Sequence, residues 1–372
     1  MRLFMDGRYI RTDYHDGISR FSHSLIHAVA QQAQPTVIIH DPKQRELLPD
    51  HLEVVQLNDP TALVEPLAAH KLNRYHPDVV FSPMQTIGSV GRKFGLILTL
   101  HDLIYYQHRT PPKDLPQLVR GLWYLYHLSY VPQRLLLNGA DAVATVSQTS
   151  QRLIRKHRLT SRPVHVISNA PQTFDHPRDP SQGREKALVY MGSFMEYKNV
   201  EVLVQAMRYL PEYRLHLCSP ITAQRRRELL GLAIQHRIAE AQLVFHNGIS
   251  DTHYRELLRT STALVTLSRS EGYGLPVAEA MAEGTPVVLS KLEIFEEIGG
   301  SKNPGACFID MQADNIPQLV ADAVTKLDDD ATFRVASKAV VHQANRFRWE
   351  DSATTLLQLA EAIHRRRQLR AR

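Results

Sequence analysis

The sequence predicts an α/β protein made of two domains of ordinary size. Short apolar segments rich in β-branched residues alternate with segments of helical periodicity along nearly all of the 372 residues, which is typical of parallel sheets covered by helices. A polar stretch, NAPQTFDHPRDPSQGREK (169–186), interrupts this alternation once. The prediction is therefore two Rossmann-like βαβ domains that face a cleft and are joined by a linker.

Thirteen segments predict buried strands. In the first half they are RLFMD, TVIIH, EVVQL, DVVFS, LILTLHD, DAVATVS and PVHVIS, and in the second half ALVYMG, YRLHLCS, AQLVFHNG, ALVTLS, PVVLS and GACFID. Helices are predicted between them, notably ISRFSHSLIHAVAQQ, PTALVEPLAAHKLNRY and SQTSQRLIRKH, and throughout the chain after residue 331. We accordingly predict a first domain at 1–170, a linker at 171–186, a second domain at 187–348, and a C-terminal helix with a basic tail at 349–372.

Composition limits the class of protein. A hydrophobic content of 43% with 22% charged residues is typical of a soluble globular protein, and no run of 18 apolar residues exists to span a membrane. The first residues, MRLFMDGRYI, predict a strand rather than a signal peptide. Cys218 and Cys307 are too few for a disulfide framework or a zinc site, so a reducing cytoplasm is expected.

The basic residues are unevenly distributed. Residues 1–175 carry 19 Lys and Arg against 14 Asp and Glu, residues 176–364 carry 20 against 24, and the tail RRRQLRAR adds five basic residues. A basic first half fits a phosphate-bearing acceptor or the inner face of an anionic membrane, whereas no nucleic-acid module is evident. The tail alone is better interpreted as solvated and frayed. The aromatic segment 115–137 is either an interfacial helix or a mostly buried one, and the apolar residues around much of its circumference favour the buried helix.

The segment ALVTLSRSEGYGLPVAEAMAEGTPVVLS (263–290) predicts a strand, a glycine-rich turn, a helix and a second strand. Gly272 and Gly274 allow left-handed backbone and the close approach of a ligand. Pro276 fits the first turn of the helix, and Gly284 is placed to end it. Because N–H groups at a helix start attract phosphate, we expect an anion at this turn.

Two glutamates frame that turn. Glu279 is expected in the first turn of the helix, where its carboxylate would accept hydrogen bonds from a pair of hydroxyls such as those of a ribose. Glu271 follows the strand and would accept from hydroxyls at the other end of the ligand. A phosphate between two hydroxyl-rich ends describes a sugar nucleotide. The alternative is a pair of solvated surface charges, which the strand–turn–helix context disfavours.

Three further strand ends carry glycine or polar side chains. Gly17 opens a helix after the first strand. His101 ends a very apolar strand and is placed to donate to a sugar hydroxyl, with Asp102 orienting it or capping the next segment; a buried structural histidine is the alternative. Gly192 forms a turn after a later strand, and Lys198 near the following helix start would neutralise a diphosphate.

These segments together resemble the retaining family 4 glycosyltransferases, which have the two-domain GT-B architecture. The resemblance covers nearly the whole chain, through GISRF, TLHDL, VSQTS, VISNAP, GSFMEYKN, the segment from NGISD to VVLS, and FRWED. Its most specific part is the E-x7-E segment, in which the two glutamates enclose the Gly-x-Gly-Leu-Pro turn. The resemblance also implies that the C-terminal helix crosses back to the first domain.

The resemblance implies a role for each candidate residue. Glu271 would hold the transferred sugar near its reacting carbon, His101 would touch that sugar, and Glu279 would bind the ribose. The other residues implied on the donor side are Gly17, Gly192, Ser193, Lys198, Gly272, Tyr273, Gly274 and Leu275, while Arg20 and Asp102 lie on the acceptor side. No cofactor or metal is implied, since Lys198 and helix dipoles would offset the leaving-group charge.

One position departs from the family pattern. Many members have an arginine just after the turn glycine, where this chain has Ser193, so diphosphate binding would rely on Lys198, backbone amides or another basic residue. The expected reaction moves a hexose, mannose or glucose, with retention, from a nucleoside-diphosphate sugar to a hydroxyl of a glycan or glycolipid. The alternatives are a nucleotide-sugar epimerase of the same fold and a catalytically silent partner subunit that binds sugar nucleotides.

Overall fold

The computed structural model describes residues 1–13, 16–110, 117–172 and 177–371. Within these ranges, each of the thirteen predicted strand segments overlaps one strand, and β5, β8 and β11 begin one or two residues earlier than predicted. The strands are β1 (Leu3–Asp6), β2 (Thr36–Ile39), β3 (Val54–Gln56), β4 (Val79–Ser82), β5 (Gly95–Thr99), β6 (Ala142–Thr145), β7 (Val164–Val166), β8 (Glu185–Tyr190), β9 (Arg214–Leu217), β10 (Leu243–Phe245), β11 (Ser261–Thr266), β12 (Val287–Ser290) and β13 (Ala306–Ile309).

Helices separate nearly all of these strands. They are α1 (Gly17–Ala30), α2 (Ala68–Leu72), α3 (Ile104–Gln107), α4 (Gln117–His127), α5 (Val131–Asn138), α6 (Gln148–Lys156), α7 (Val200–Ala206), α8 (Ala223–Gln235), α9 (Asp251–Thr260), α10 (Leu275–Ala282), α11 (Glu293–Gly299), α12 (Ile316–Thr325), α13 (Asp330–Ala344) and α14 (Trp349–Ala371). The predicted helix at 60–75 is shorter than expected, because α2 is flanked by 3₁₀ turns at Glu65–Leu67 and Asn73–Tyr75.

The chain divides into two compact units, one comprising Met1–Asn169 with Arg348–Arg372 and the other Ala170–Phe347. The first unit contains a parallel sheet with the order β3-β2-β1-β4-β5-β6-β7, and the second a parallel sheet with the order β10-β9-β8-β11-β12-β13. Both show the doubly wound Rossmann order, in which the direction of winding reverses between β1 and β4 and between β8 and β11. The predicted α/β class and the two Rossmann-like units are confirmed.

The last helix belongs to the first unit. α14 packs along α1, the ring of Trp349 lies 6.0 Å from that of Phe21, and Ser352 donates to the carbonyl of Ser168 at 2.7 Å. The prediction of a frayed tail was wrong, because α14 continues to Ala371 and Arg367 donates to the carbonyl of Lys93 at 3.0 Å.

The predicted linker is attached to the second unit where it is described. The backbone N–H of Arg178 donates to the carbonyl of Glu283 at 3.1 Å, and its buried side chain donates to the carbonyl of Ser261 at 2.7 Å. β8 begins at Glu185, inside the predicted linker. Residues 173–176 of this segment lie outside the described part of the chain.

The prediction of one mostly buried helix at 115–137 was wrong. Two helices, α4 and α5, occupy the described part of this segment, and the side chains of Leu122, Leu125 and Leu135 are 60%, 61% and 72% exposed. Residues 115 and 116 lie outside the described ranges. Of the helices that the structure describes, none has both the length and the apolar composition needed to cross a bilayer.

Candidate active site

Two predicted site residues meet where the winding of the second sheet reverses. Lys198 ends a 3₁₀ turn after β8, and Glu271 follows the neighbouring strand β11. The Nζ of Lys198 lies 2.5 Å from the Oε1 of Glu271, and both side chains are largely buried. Ligands of such sheets bind outside the carboxyl ends of the strands at this reversal. The structure therefore brings the predicted diphosphate-binding and sugar-binding side chains together.

Ser268 orients the Glu271 carboxylate. Its hydroxyl donates to Oε1 at 2.8 Å, so the ammonium of Lys198 and this hydroxyl share one oxygen. Within the described residues, Oε2 of Glu271 accepts no hydrogen bond. A carboxylate fixed through one oxygen retains acceptor capacity on the other, as binding of sugar hydroxyls requires.

The loops that carry Lys198 and Glu271 are joined by hydrogen bonds. The backbone N–H of Arg269 donates to the carbonyl of Tyr197 at 2.7 Å, and its guanidinium lies 3.4 Å from the side-chain oxygen of Asn199. Asn199 is buried and left-handed, with a φ of 55°, a conformation that asparagine tolerates better than most residues. These contacts hold the lysine and the glutamate in register.

Tyr190 supports the glycine turn after β8. Its hydroxyl donates to the carbonyl of Ser193 at 2.6 Å, and the N–H of Gly192 donates to the Oγ of Ser219 at 3.0 Å. Burial, with a further contribution from the charge of Glu271, raises the pKa of Tyr190 well above its usual value. The phenol therefore stays protonated and acts as a donor that shapes the turn.

Helix α10 begins directly after the second glycine turn. Gly274 is left-handed with a φ of 98°, and Leu275 is the first helical residue. Pro276 has no N–H and the N–H of Val277 donates to the carbonyl of Gly274 at 2.9 Å, so the N–H of Leu275 is the donor that the first turn does not use within the helix. Gly284 follows the helix with a φ of 80°, which confirms its predicted place at the C-terminus. Tyr273 is buried, and its ring lies 6.2 Å from that of Phe347.

Glu279 lies in the second turn of α10, at the fifth helical position, rather than in the first turn as expected. The helix starts at Leu275, just after the left-handed glycine, which leaves no acidic residue in its first turn. The residue is only 8% exposed, and carboxylates are rarely buried without a partner. Burial and position both argue against a solvated charge that merely favours the helix start.

We expect Gly274→Ala to destabilise the protein by about 1–2 kcal/mol more than Gly17→Ala. A Cβ at Gly274 would lie 2.9 Å from Phe295 on a left-handed backbone, whereas a Cβ at Gly17 would meet nothing within 4 Å. Both changes restrict the unfolded chain equally, so that contribution cancels. Urea unfolding of the two variants measures the difference, and equal stabilities would show that the turn is not strained.

In the first unit, Gly17 opens α1 after β1. Asp16 caps this helix by accepting from the N–H of Ser19 at 2.9 Å, and the N–H of Arg20 donates to the carbonyl of Asp16 at 2.9 Å. Gly17 is exposed and has ordinary helical backbone, so packing within the chain does not require glycine there. That it leaves room for a diphosphate stays a prediction.

The orientation of His101 differs from the expectation. Its Nε2 lies 2.8 Å from the carbonyl oxygen of Pro83, and since a carbonyl only accepts, Nε2 carries the proton. Burial lowers the pKa of His101 below 6.5, which favours the neutral ring and leaves Nδ1 as an acceptor. The ring would thus accept from a sugar hydroxyl rather than donate to it. Asp102 accepts from the N–H of Ile104 at 2.9 Å, at the start of α3, although the N-cap position of that helix is Leu103.

A titration of the His101 ring by NMR should give a midpoint below pH 6.5, because burial disfavours the imidazolium. With the folded-state pKa below that of the unfolded chain, the free energy of unfolding should fall as pH drops below 6.5. The His101→Asn variant assigns the signal and should lack this part of the pH dependence. A midpoint above 6.5 would contradict the assigned neutral ring.

A cavity of about 440 Å³ opens in the first unit, near the start of α1. Its lining includes Tyr9, Asp16, His40, Gln44, Asp59 and Thr61. Arg8 also lines it, and its buried guanidinium forms hydrogen bonds of 2.8–2.9 Å with both oxygens of Asp6 and both of Glu65. The lining is mainly apolar and carries a few hydroxyl and carboxylate groups, a combination that suits a ligand with hydroxyl groups on a ring.

Sequence reasoning missed the side chains that support the site. Ser268 and Ser219 each lie two residues beyond a strand, after β11 and β9, and Tyr190 is the last residue of β8. Their place at the carboxyl ends of parallel strands was the available signal. No cluster of three or more His, Cys, Asp or Glu side chains that could hold a metal ion occurs in the described ranges. Independence from metal stays a prediction.

Comparison with known proteins gives matches to both halves of the chain. Residues 15–171 match Glycosyltransferase Family 4, and residues 171–340 match Glycosyl transferases group 1. The chain is 27% identical over 273 residues to the O-antigen chain mannosyltransferase B of Escherichia coli, covering 69% of this chain and 68% of that protein.

Two further similarities bear on substrate class and fold. The GDP-mannose:cellobiosyl-diphosphopolyprenol alpha-mannosyltransferase of Xanthomonas oryzae pv. oryzae is 25% identical over 280 residues, covering 68% of this chain and 70% of that protein. The structure of sucrose-phosphate synthase from Thermosynechococcus elongatus superposes with a TM-score of 0.73, at 17% identity and with 97% and 98% of the two chains covered. This structural similarity establishes the fold alone, and the fold is GT-B.

Proposed function

Because the chain belongs to the glycosyltransferases, with a family 4 domain followed by a group 1 domain, we propose that it transfers mannose from a nucleoside-diphosphate sugar to a lipid-linked glycan. The main structural support for this proposal is the ion pair of Lys198 and Glu271, which lies where the winding of the second sheet reverses. The names of two relatives support mannose as the hexose, and one of them supports GDP as the nucleotide and a polyprenol-linked acceptor. Glucose is the second candidate hexose.

The donor site is built from the E-x7-E segment and the turn before α7. The ammonium of Lys198 has three N–H groups, one of which meets Glu271, so the others are available for diphosphate oxygens. The N–H of Leu275 and the dipole of α10 add partial positive charge at the start of this helix. The buried carboxylate of Glu279, one turn further along α10, is the proposed acceptor for the ribose hydroxyls.

The proposed transfer proceeds on one face of the sugar and retains its configuration. The bond between the anomeric carbon and the diphosphate oxygen breaks while the acceptor oxygen bonds to that carbon, and the leaving phosphate takes the acceptor proton. Glu271 stabilises the positive charge that develops on the sugar and forms no covalent bond to it. His101 accepts from a sugar hydroxyl through Nδ1.

We assign the glycan part of the acceptor to the cavity of the first unit. Its hydroxyl and carboxylate groups offer hydrogen-bonding atoms to sugar hydroxyls. The amide of Gln44 shapes the wall instead, because it is buried and bonded to backbone groups on both its oxygen and its nitrogen. Arg20 and Asp102 lie near the starts of α1 and α3 and stay candidates for the acceptor side. A cytoplasmic location is proposed as well, supported by Cys218 and Cys307, which form no disulfide.

The direct test incubates the protein with GDP-mannose or UDP-glucose, with and without a polyprenol-diphosphate-linked saccharide. We expect nucleoside diphosphate release only with acceptor, a product whose anomeric configuration matches the donor by NMR, and the same rate in EDTA. Conversion of the donor hexose to its epimer without acceptor would instead identify an epimerase. A donor that binds but is never consumed would identify a silent partner subunit.

A further inference from the structure

An apolar surface runs along the outside of α4 and α5. It comprises Val119, Leu122, Leu125, Leu128, Val131 and Leu135, and each of these side chains is at least 42% exposed. The four residues on α4 and the turn after it recur every three positions, so each is a neighbour of the next but lies about 60° further around the helix, and together they form a continuous band over its exposed half. Exposed apolar residues scattered singly are ordinary, but a contiguous stripe indicates an interaction site. We call this surface the apolar face.

The opposite sides of α4 and α5 already pack within the first unit. The Tyr126 hydroxyl donates to the Oε1 of Gln133 at 2.9 Å, the rings of Tyr106 and Tyr130 lie 4.5 Å apart, and Leu137 is fully buried in the core. The two helices are therefore held by their inner sides. Their outward leucines do not contribute to the core of the unit.

Positive charge is concentrated beside the apolar face. Residues 104–165 carry nine Lys and Arg against two Asp and Glu, a net charge of +7. This is more positive than the net charge of +5 carried by residues 1–175 as a whole. The basic end of α6 is joined to α5, because Arg134 donates to the carbonyls of His157 and Arg158 at 2.9 and 3.0 Å. Exposed Arg155 and Lys156 lie at this end.

We propose that the apolar face lies in the headgroup layer of an anionic membrane, with the basic residues around it binding lipid phosphates. Apolar side chains flanked by arginine and lysine are the pattern of interfacial helices that lie in the membrane plane. The T-shaped ring pair Trp123 and Tyr105 supplies the amphipathic aromatic groups that favour this layer. Pairing with a second copy through this face would place its positive charge against itself.

The test is co-sedimentation of the whole protein with vesicles of phosphatidylcholine containing phosphatidylglycerol, and with pure phosphatidylcholine. We expect binding to the anionic vesicles, weakened at least about tenfold for each leucine in Leu122→Gln/Leu125→Gln. Arg155→Gln/Lys156→Gln should weaken it about fivefold for each charge. The matched controls Ile234→Gln/Val335→Gln and Arg334→Gln/Lys338→Gln alter exposed residues of the second unit and should bind like the unaltered protein.

Equal binding to anionic and to uncharged vesicles would overturn the proposal. It would also be overturned if the leucine variant and the charge variant both bound as well as their controls. So would a sedimentation coefficient that falls in the leucine variant without lipid, because the face would then join two copies. Thermal unfolding confirms that each variant is folded. A blue shift of the tryptophan fluorescence on vesicle binding, lost in Trp123→Phe because the second tryptophan, Trp349, is buried in the first unit, reports insertion directly. The vesicle assay contains neither sugar donor nor acceptor, so a negative result in it would not bear on the proposed glycosyl transfer.

Discussion

Glu271→Gln is expected to lower kcat by about two to three orders of magnitude while changing the dissociation constant of the donor only a few-fold. Glutamine keeps the size of the side chain and can still accept from Ser268. It lacks the charge that stabilises the sugar in the transition state and that pairs with Lys198 at 2.5 Å. Steady-state turnover and donor titration by calorimetry separate the two effects.

The matched control for this change is Glu185→Gln, at the other end of the second sheet. Glu185 is exposed and opens β8, far along the strand from the glycine turn, so its loss should change neither constant. Unaltered turnover in Glu271→Gln would remove this carboxylate from the mechanism. An equal loss of donor affinity and turnover would assign it to ground-state binding instead.

Lys198→Ala is expected to weaken donor binding by roughly 10- to 150-fold, since a hydrogen bond between charged groups contributes about 1.5–3 kcal/mol. Turnover should fall as well, because the leaving diphosphate gains charge in the transition state. Calorimetric titration with GDP-mannose and with GDP gives the affinities. Lys302→Ala, which alters an exposed lysine, is the control and should bind like the unaltered protein.

The combined variant Lys198→Ala/Glu271→Gln tests whether the two residues act together. Because their side chains are in direct contact, we expect the losses in kcat/KM to be smaller in combination than the product of the single losses. Strictly multiplicative losses would mean that the ion pair is incidental to catalysis.

The sequence predicted the strands well because a buried parallel strand is a local feature. Runs such as LILTL and ALVTL are apolar at nearly every position and are bounded by polar turns. This pattern is typical of a strand that is buried on both faces of a parallel sheet. The co-location of Lys198 with Glu271 was implicit as well, since adjacent parallel strands end at the same edge. Their direct contact, and the support from Ser268, depend on side-chain orientation that spacing does not give.

Other features depend on residues distant in the chain. The acceptor character of His101 follows from a carbonyl 18 positions earlier, at Pro83. The exposure of Leu122 and Leu125 could not be predicted because apolar residues occur on all sides of that segment, and periodicity alone does not show which side meets the core. Glu279 was misplaced by one turn, because the exact start of α10 is set by the left-handed conformation of Gly274.

The central claim is that the E-x7-E segment binds a sugar nucleotide through Glu279, and thermal unfolding tests it most directly. UDP, GDP, ADP, TDP and their common hexose conjugates are compared on the unaltered protein and on Glu279→Ala. A ligand at 100 times its dissociation constant stabilises by about 2.7 kcal/mol, enough to raise Tm visibly. We predict that one nucleotide, GDP, raises Tm and that Glu279→Ala abolishes the response. The claim would be contradicted if no nucleotide raised the Tm of the unaltered protein. It would also be contradicted if GDP raised the Tm of Glu279→Ala as much as that of the unaltered protein.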